Sequence, residues 1–123
     1  MKKLLSIIML AVSMLIFAPN CEATDVWVEH WNDEDVDIFV MDDTIVSGSD
    51  AYSRGFTVST KMVKNGKLQS VINWSFGNGK GWRYSSSRMD PRITSRVIPR
   101  NNIFEFCMNR LGWSYSINNG YYD

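Results

Sequence analysis

The dipeptide Asn65-Gly66 constrains this chain most, because it separates two stretches in which apolar and polar residues alternate. Asn-Gly favours a two-residue turn with positive φ at both central positions, and such turns join antiparallel strands. One face of the hairpin would carry Phe56, Val58, Thr60 and Met62 before the turn, and Leu68, Ser70, Ile72, Trp74 and Phe76 after it. The sequence therefore predicts a long hairpin in the middle of an antiparallel sheet.

The first 23 residues read as a signal peptide. Lys2-Lys3 precede an apolar stretch at residues 4–17, and Cys21-Glu22-Ala23 supplies small residues for a cleavage site. An uncleaved membrane anchor is the alternative, but this stretch of 14 residues is shorter than the roughly 20 residues that a spanning helix needs. We expect an exported protein of the periplasm, cell surface or medium, without a stable membrane span, whose mature chain begins at Thr24.

Cysteine use leaves two questions open. Cys21 would be lipidated in a lipoprotein, but the preceding Ala18-Pro19-Asn20 resembles a lipobox poorly. Cys107 would then be the one cysteine of the mature chain, so no internal disulfide is expected. Cys107 is either a buried, inert thiol on the apolar side of a helix or the site of an intermolecular disulfide in a homo-oligomer.

The remaining pattern predicts an α+β fold, with an antiparallel meander of five to six strands and one C-terminal helix packed on a face. Further strands are expected at residues 26–31, 36–41, 82–85 and, weakly, 93–98. Asn102 would cap the helix and Gly112 would end it. Residues 24–117 would form a single domain, and residues 118–123 a flexible tail.

Charge is unevenly distributed along a chain with no net charge. Residues 24–53 contain nine acidic and no basic residues, whereas residues 54–110 contain eleven basic and two acidic residues. Strands of opposite sign that pair in one sheet would neutralise each other. The alternative is a surface with a basic face offered to an acidic partner.

A basic and aromatic segment supplies the candidate interaction surface. Arginines recur every four residues from residue 88 to residue 100, which in an extended chain places them on one side. This surface would comprise Trp82, Arg83, Tyr84, Arg88, Arg92 and Arg96. Export and a near-neutral isoelectric point argue against nucleic acid, which leaves pairing with the acidic strands, or binding of an anionic polymer or of a host or envelope protein.

No catalytic, metal or cofactor site is expected. His30 is the single histidine and has no serine or cysteine close in sequence, and no nucleophile elbow is present. The acidic turn at residues 33–37 lacks the glycine and distal glutamate of a calcium loop. The glycine-rich segment at residues 77–81 joins two strands and is not followed by a helix, unlike a phosphate-binding loop.

The segment at residues 37–45 resembles the second strand of bacterial surface-adhesin E-like proteins. In that family an early Trp-Val strand, here Trp27-Val28, precedes a strand ending in a Ser-Ile or Thr-Ile step, here Thr44-Ile45. The order of several strands followed by a helix with a cysteine is also similar. The resemblance implies a small exported domain with one antiparallel sheet and a C-terminal helix, and some members bind host extracellular-matrix proteins.

These features favour a small, exported, non-enzymatic binding domain of bacterial origin, adhesin-like in its binding of host or envelope macromolecules. Its contact surface is expected on the sheet face that the helix leaves uncovered. The alternative is a periplasmic structural accessory or homo-oligomer. A small hydrolase is a distant third, because it would need His30 beside a serine or Cys107.

Overall fold

The computed structural model describes residues 25–49 and 54–123. The predicted signal peptide, lipidation of Cys21 and mature start at Thr24 lie outside these residues. A scan of the described residues found no helix with the length and apolar character needed to cross a membrane.

Six consecutive antiparallel strands form one sheet, in the order β1 to β6. They are β1 (Asp25–Trp31), β2 (Val36–Ser49), β3 (Arg54–Lys64), β4 (Lys67–Gly79), β5 (Gly81–Ser86) and β6 (Ser95–Arg96). Helix α1 (Asn102–Leu111) follows, and then a two-stranded ribbon of β7 (Ile117–Asn118) and β8 (Tyr121–Tyr122). The predicted antiparallel sheet with one C-terminal helix is confirmed, with more strands in total than expected.

The central hairpin forms at the predicted turn. Asn65 and Gly66 have φ values of 52° and 75°, the positive pair that a tight turn between strands requires. Strands β3 and β4 pair from Lys64 and Lys67 at the turn to Arg54 and Asn78 at the far end, with one irregularity at Met62 and Val63. The hairpin therefore fixes the register of the sheet's middle.

The core lies between one face of the sheet and helix α1. Phe104, which is fully buried, contacts the rings of Phe56, Phe76, Trp82 and Tyr122 at centroid distances of 4.5 to 6.1 Å. The other buried apolar residues of this core are Val36, Ile38, Val40, Val58, Met62, Ile72, Val97, Ile103, Cys107 and Met108. Aromatic rings thus supply much of the buried area in a chain that has no disulfide among its described residues.

The helix boundaries differ slightly from those predicted. Asn101, not Asn102, is the N-cap, because its side-chain oxygen accepts a hydrogen bond from the backbone N–H of Phe104 at 2.9 Å. Gly112 ends the helix as predicted, with a φ of 73°. Two adjacent asparagines make either position plausible as a cap from sequence alone.

The prediction of a flexible tail at residues 118–123 is wrong. Residues Ile117–Asn118 and Tyr121–Tyr122 pair around Asn119-Gly120, a second Asn-Gly turn. Tyr122 is buried, and its hydroxyl accepts a hydrogen bond from the backbone N–H of Asn101 at 2.8 Å. The last residues of the chain therefore close the core rather than trail from it.

Candidate functional site

The acidic N-terminal strands and the basic later segments neutralise each other in part, as one interpretation of the charge pattern predicts. Lys61 Nζ lies 2.8 Å from Asp25 Oδ2, Arg88 Nη2 lies 2.7 Å from Glu34 Oε1, and Arg110 Nε lies 3.1 Å from Asp42 Oδ1. Each pair joins an acid before residue 50 to a base after residue 60. Part of the uneven charge along the sequence is therefore an internal pairing.

The arginine stripe predicted from the spacing of four residues does not form. Between β5 and β6 the backbone makes turns, and of residues 93–98 only Ser95–Arg96 are a strand. Arg88 makes a two-bond contact with Glu34, Arg92 binds Asp90 and Arg100 binds Glu105. The Arg88–Glu34 hydrogen bond raises the pKa of Arg88 and lowers that of Glu34. Arg88, Arg92 and Arg100 are therefore each paired with a carboxylate of this chain.

Trp82 cannot be a surface anchor, because it is only 2% exposed and contacts Phe104. Successive residues of a strand point to opposite faces, so Trp82 and Tyr84 face the core while Arg83 points away. The alternation of apolar and polar residues within the short strand β5 is the sequence signal for this arrangement. The segment therefore does not form one continuous basic and aromatic surface.

Two arginines of the predicted surface meet at the β5–β6 edge. Arg83 and Arg96 are register partners on adjacent antiparallel strands, where like charges directly opposite each other destabilise a sheet. Within residues 25–49 and 54–123 neither arginine forms an ion pair. The fold thus places the Cα atoms of the two arginines opposite each other, and neither guanidinium group has a described carboxylate partner.

Each of the two guanidinium groups is held in place. Arg83 donates from Nε to Thr94 Oγ1 and from Nη2 to the Thr94 carbonyl, both at 2.8 Å. Arg96 lies over the ring of Tyr121, 4.2 Å from its centroid, an arrangement that favours a cation. Its Nε is buried and has no hydrogen-bond partner in the described part of the chain.

Gly81 makes room for Arg96. Its φ of 90° is in the range that glycine favours. A Cβ atom built on it would lie 2.8 Å from Nη2 of Arg96, too close for van der Waals contact. The glycine therefore serves both the turn between β4 and β5 and the seat of the guanidinium.

These residues surround a surface pocket of about 620 Å³, which we call the arginine pocket. Its lining comprises Arg83, Tyr84, Thr94, Ser95, Arg96, Ile98, Asn101 and Tyr121. Asn101 brings the start of helix α1 to the rim, and Tyr121 brings the C-terminal ribbon. The lining contains two cations, several uncharged hydrogen-bond donors and no carboxylate. Chemically, such a pocket can bind an anion.

A second groove, of about 590 Å³, lies across β3, β4 and β5 and has a different character. Hydroxyl and amide side chains dominate it, and Ser59 Oγ donates to Asn73 Oδ1 at 2.7 Å within it. Its lining comprises Thr44, Thr57, Val58, Ser59, Asn73, Trp74, Ser75, Ser85, Ser86, Ser87, Met89 and Pro91. The groove has no charged side chain in its lining, so it offers no anchor for an ion.

His30 lies on β1, between two carboxylates. Its Nδ1 is 3.0 Å from Asp37 Oδ1 and its Nε2 is 3.1 Å from Asp35 Oδ1. The hydrogen bond with Asp37 is the main cause that raises the pKa of His30. No serine or cysteine is hydrogen-bonded to this ring among the residues described, so the dyad that a hydrolase would need is not formed there.

Cys107 is the buried thiol that one of the two predictions described. It is fully buried on helix α1, and burial, with a smaller contribution from the charge of Asp42, raises its pKa to about 12. Its side chain is enclosed by the core, so an intermolecular disulfide would require the core to open. The described residues also include no group of three or more metal-ligating side chains.

Comparisons with known proteins gave no match that bears on this site. No family model, no curated protein and no solved structure matches the chain.

Proposed function

We propose that this chain is a small, exported, non-enzymatic binding domain that engages an anionic macromolecule of a host or of the cell envelope through the arginine pocket. The observation that supports it is the juxtaposition of Arg83 and Arg96 on neighbouring strands with no ion pair to a described residue. Four of the chain's seven arginines bind a described carboxylate. Keeping two like charges together costs stability, and a bound anion would offset that cost.

The resemblance to surface-adhesin E-like proteins agrees with such a role, as does the predicted leader at residues 1–23. Adhesin-like binding at a bacterial surface therefore remains our interpretation of where and how this domain acts. The arginine pocket lies at an edge of the sheet, away from the core. A large partner would therefore have access to it without disturbing the packing around Phe104.

Retention of the purified protein on immobilised polymers tests the proposal. We expect retention on heparin and on polyphosphate but not on neutral dextran, and weaker retention as salt is raised because the contact is ionic. A double variant with R83Q and R96Q should elute at clearly lower salt. The control R92Q removes one charge from an exposed arginine outside the pocket and should elute close to the unmodified protein.

Two results would overturn the proposal. One is a protein that binds none of the anionic polymers. The other is a double variant that is retained as strongly as the R92Q control, since binding would then follow overall charge and not the arginine pocket.

The second candidate function is a periplasmic structural accessory or homo-oligomer. It rests on β1, which is an edge strand of the described sheet and carries a Trp27 that is 54% exposed. An unpaired strand edge is a surface on which another strand can pair. Light scattering during size-exclusion chromatography distinguishes this candidate, because a dimer that is lost on W27A would favour it and a monomer would exclude it.

A further inference from the structure

The arginine pocket is rich in hydrogen-bond donors whose acceptors are not supplied by the described residues. Nη1 of Arg83 makes no hydrogen bond to them, and no nitrogen of Arg96 does. The side-chain oxygen of Asn101 is used by the helix cap, so its amide nitrogen is left to donate. The hydroxyl groups of Ser95 and Tyr121 make no hydrogen bond to another described residue. The complementary ligand is therefore an acceptor with several oxygens.

Charge and oxygen count distinguish between anions. A carboxylate carries one charge and two oxygens in a plane, which suits a single guanidinium group. A phosphate monoester carries a charge of nearly −2 near neutral pH and three terminal oxygens in a tetrahedral arrangement. Two arginines that line one pocket, with Asn101 at its rim, match the larger charge and the third oxygen.

Resting on the proposed function, we propose that the arginine pocket is specific for a phosphate monoester group and selects it over a carboxylate. Arg96, supported by Tyr121, and Arg83, supported by Thr94, bind the phosphate oxygens. Asn101 donates to a further oxygen. A phosphate ester of a sugar and the headgroup of a lipid with a terminal phosphate present the same chemistry to this pocket.

Isothermal titration with a matched set of small probes tests the selectivity. Glucose 6-phosphate and glucuronate place a phosphate or a carboxylate on similar sugars, and glucose places neither. We expect glucose 6-phosphate to bind at least tenfold more tightly than glucuronate, with no binding of glucose. R96Q and R83Q should each weaken the phosphate ester at least tenfold and R92Q less than twofold, with circular dichroism confirming that each variant is folded.

The pH dependence gives a second, independent readout. Between pH 5 and pH 7.5 the phosphate ester goes from mainly a monoanion to a dianion, since its second pKa is about 6. Its affinity should therefore rise severalfold, whereas inorganic sulfate, a dianion at both pH values, should show little change. An equal rise for sulfate would assign the effect to the protein and contradict the selection of a dianion.

Cosedimentation with vesicles distinguishes the two sources of the phosphate. Phosphatidic acid in phosphatidylcholine presents the monoester on a membrane, and phosphatidylcholine alone presents a diester without net charge. Binding to the first vesicles assigns the group to a lipid, and binding of glucose 6-phosphate without the vesicles assigns it to a soluble or glycan ester.

The preference for phosphate and the anion-binding function can be disproved separately. Equal affinity for glucuronate and glucose 6-phosphate, with polymer retention still dependent on Arg83 and Arg96, would overturn the phosphate preference and leave the anion-binding function. The absence of binding to both the polymers and the small anions would overturn both.

Discussion

Two polar clusters flank the start of helix α1, and they are opposite in their hydrogen-bonding balance. At the first, Glu105 accepts hydrogen bonds from Tyr115, Tyr122 and Arg100. At the second, the arginine pocket, Arg83 and Arg96 line one pocket whose described lining contains no carboxylate. The first cluster has matched donors and acceptors and ties the C-terminal ribbon to the helix. The second has excess donors, which is the arrangement expected of a site that awaits a ligand.

The substitution of Glu105 should cause the largest loss of stability. E105A should lower the free energy of unfolding by roughly 2–3 kcal/mol, because it deprives two tyrosines and one arginine of a charged acceptor. Urea denaturation measures the change. D90A removes an exposed carboxylate bound to Arg92 and should cost clearly less than E105A, because exposed ion pairs contribute little to stability. Equal losses in the two variants would show that Glu105 contributes no more to stability than an exposed carboxylate does.

Acidification should weaken the same cluster. Burial alone would raise the pKa of Glu105, but hydrogen bonds from Tyr122, Tyr115 and Arg100 outweigh it and lower that pKa below the usual 4.5. The stabilisation is therefore complete above the unfolded-state pKa and is lost as the pH falls through the folded-state value. Unfolding midpoints measured from pH 6 down to pH 3 should fall less steeply for E105A than for the unmodified protein.

The two tyrosines that bind Glu105 should differ in their contributions. Y122F removes a buried hydroxyl that also accepts from the backbone N–H of Asn101, so about 1–2 kcal/mol of stability should be lost. Y115F removes a hydroxyl from a half-buried ring and should cost about 1 kcal/mol or less. Thermal unfolding of the pair checks the order, and a larger loss for Y115F would contradict the assignment of Tyr122 as the residue that closes the core.

The arginine pocket should respond more weakly. Changing Arg96 to Gln removes a cation whose Cα lies opposite that of Arg83, which lowers repulsion, but it also removes the contact with the ring of Tyr121, so at low salt the stability should change by less than about 1 kcal/mol. Unfolding at low and at high salt measures this, since the repulsion is screened at high salt. A loss above about 2 kcal/mol would show that Arg96 serves the fold and not a ligand.

The smallest effect is expected at His30, which is exposed on β1. Its raised pKa means that the contacts with Asp37 and Asp35 are strongest below pH 6.5 and weaken as the pH rises through the folded-state pKa. Trp27 Nε1 donates to the same oxygen of Asp37 at 2.9 Å. The NMR signal of that indole N–H should shift with the titration of His30, and H30Q should abolish the shift.

The fold was more predictable from sequence than the site. Strand alternation and the Asn65-Gly66 turn are local patterns, and they predicted the central hairpin. On the predicted face Phe56, Ile72 and Phe76 are buried, whereas Leu68 is exposed. The same turn chemistry at Asn119-Gly120 was missed because the flanking strands are only two residues each. Nothing in the local sequence pattern indicates that Tyr122 is buried, because its partners lie on distant elements.

The site depended on contacts that are distant in sequence. Arg88 and Glu34 are 54 positions apart, and a repeat of arginines cannot show which of them will meet a carboxylate. The extended-chain assumption placed Arg88, Arg92 and Arg96 on one surface, whereas the turns between β5 and β6 separate them. Composition predicted an anion-binding surface, and only the pairing of β5 with β6 brought Arg83 opposite Arg96.

The burial of Tyr122 has a consequence for how the chain folds as it is made. The ring lies against Phe104, so the core that begins at Val36 stays incomplete until residue 122 has been synthesised. Contacts between such distant parts of a chain form late, because the intervening loop must first be closed. The nascent chain can therefore complete this core only after the C-terminal ribbon has been made.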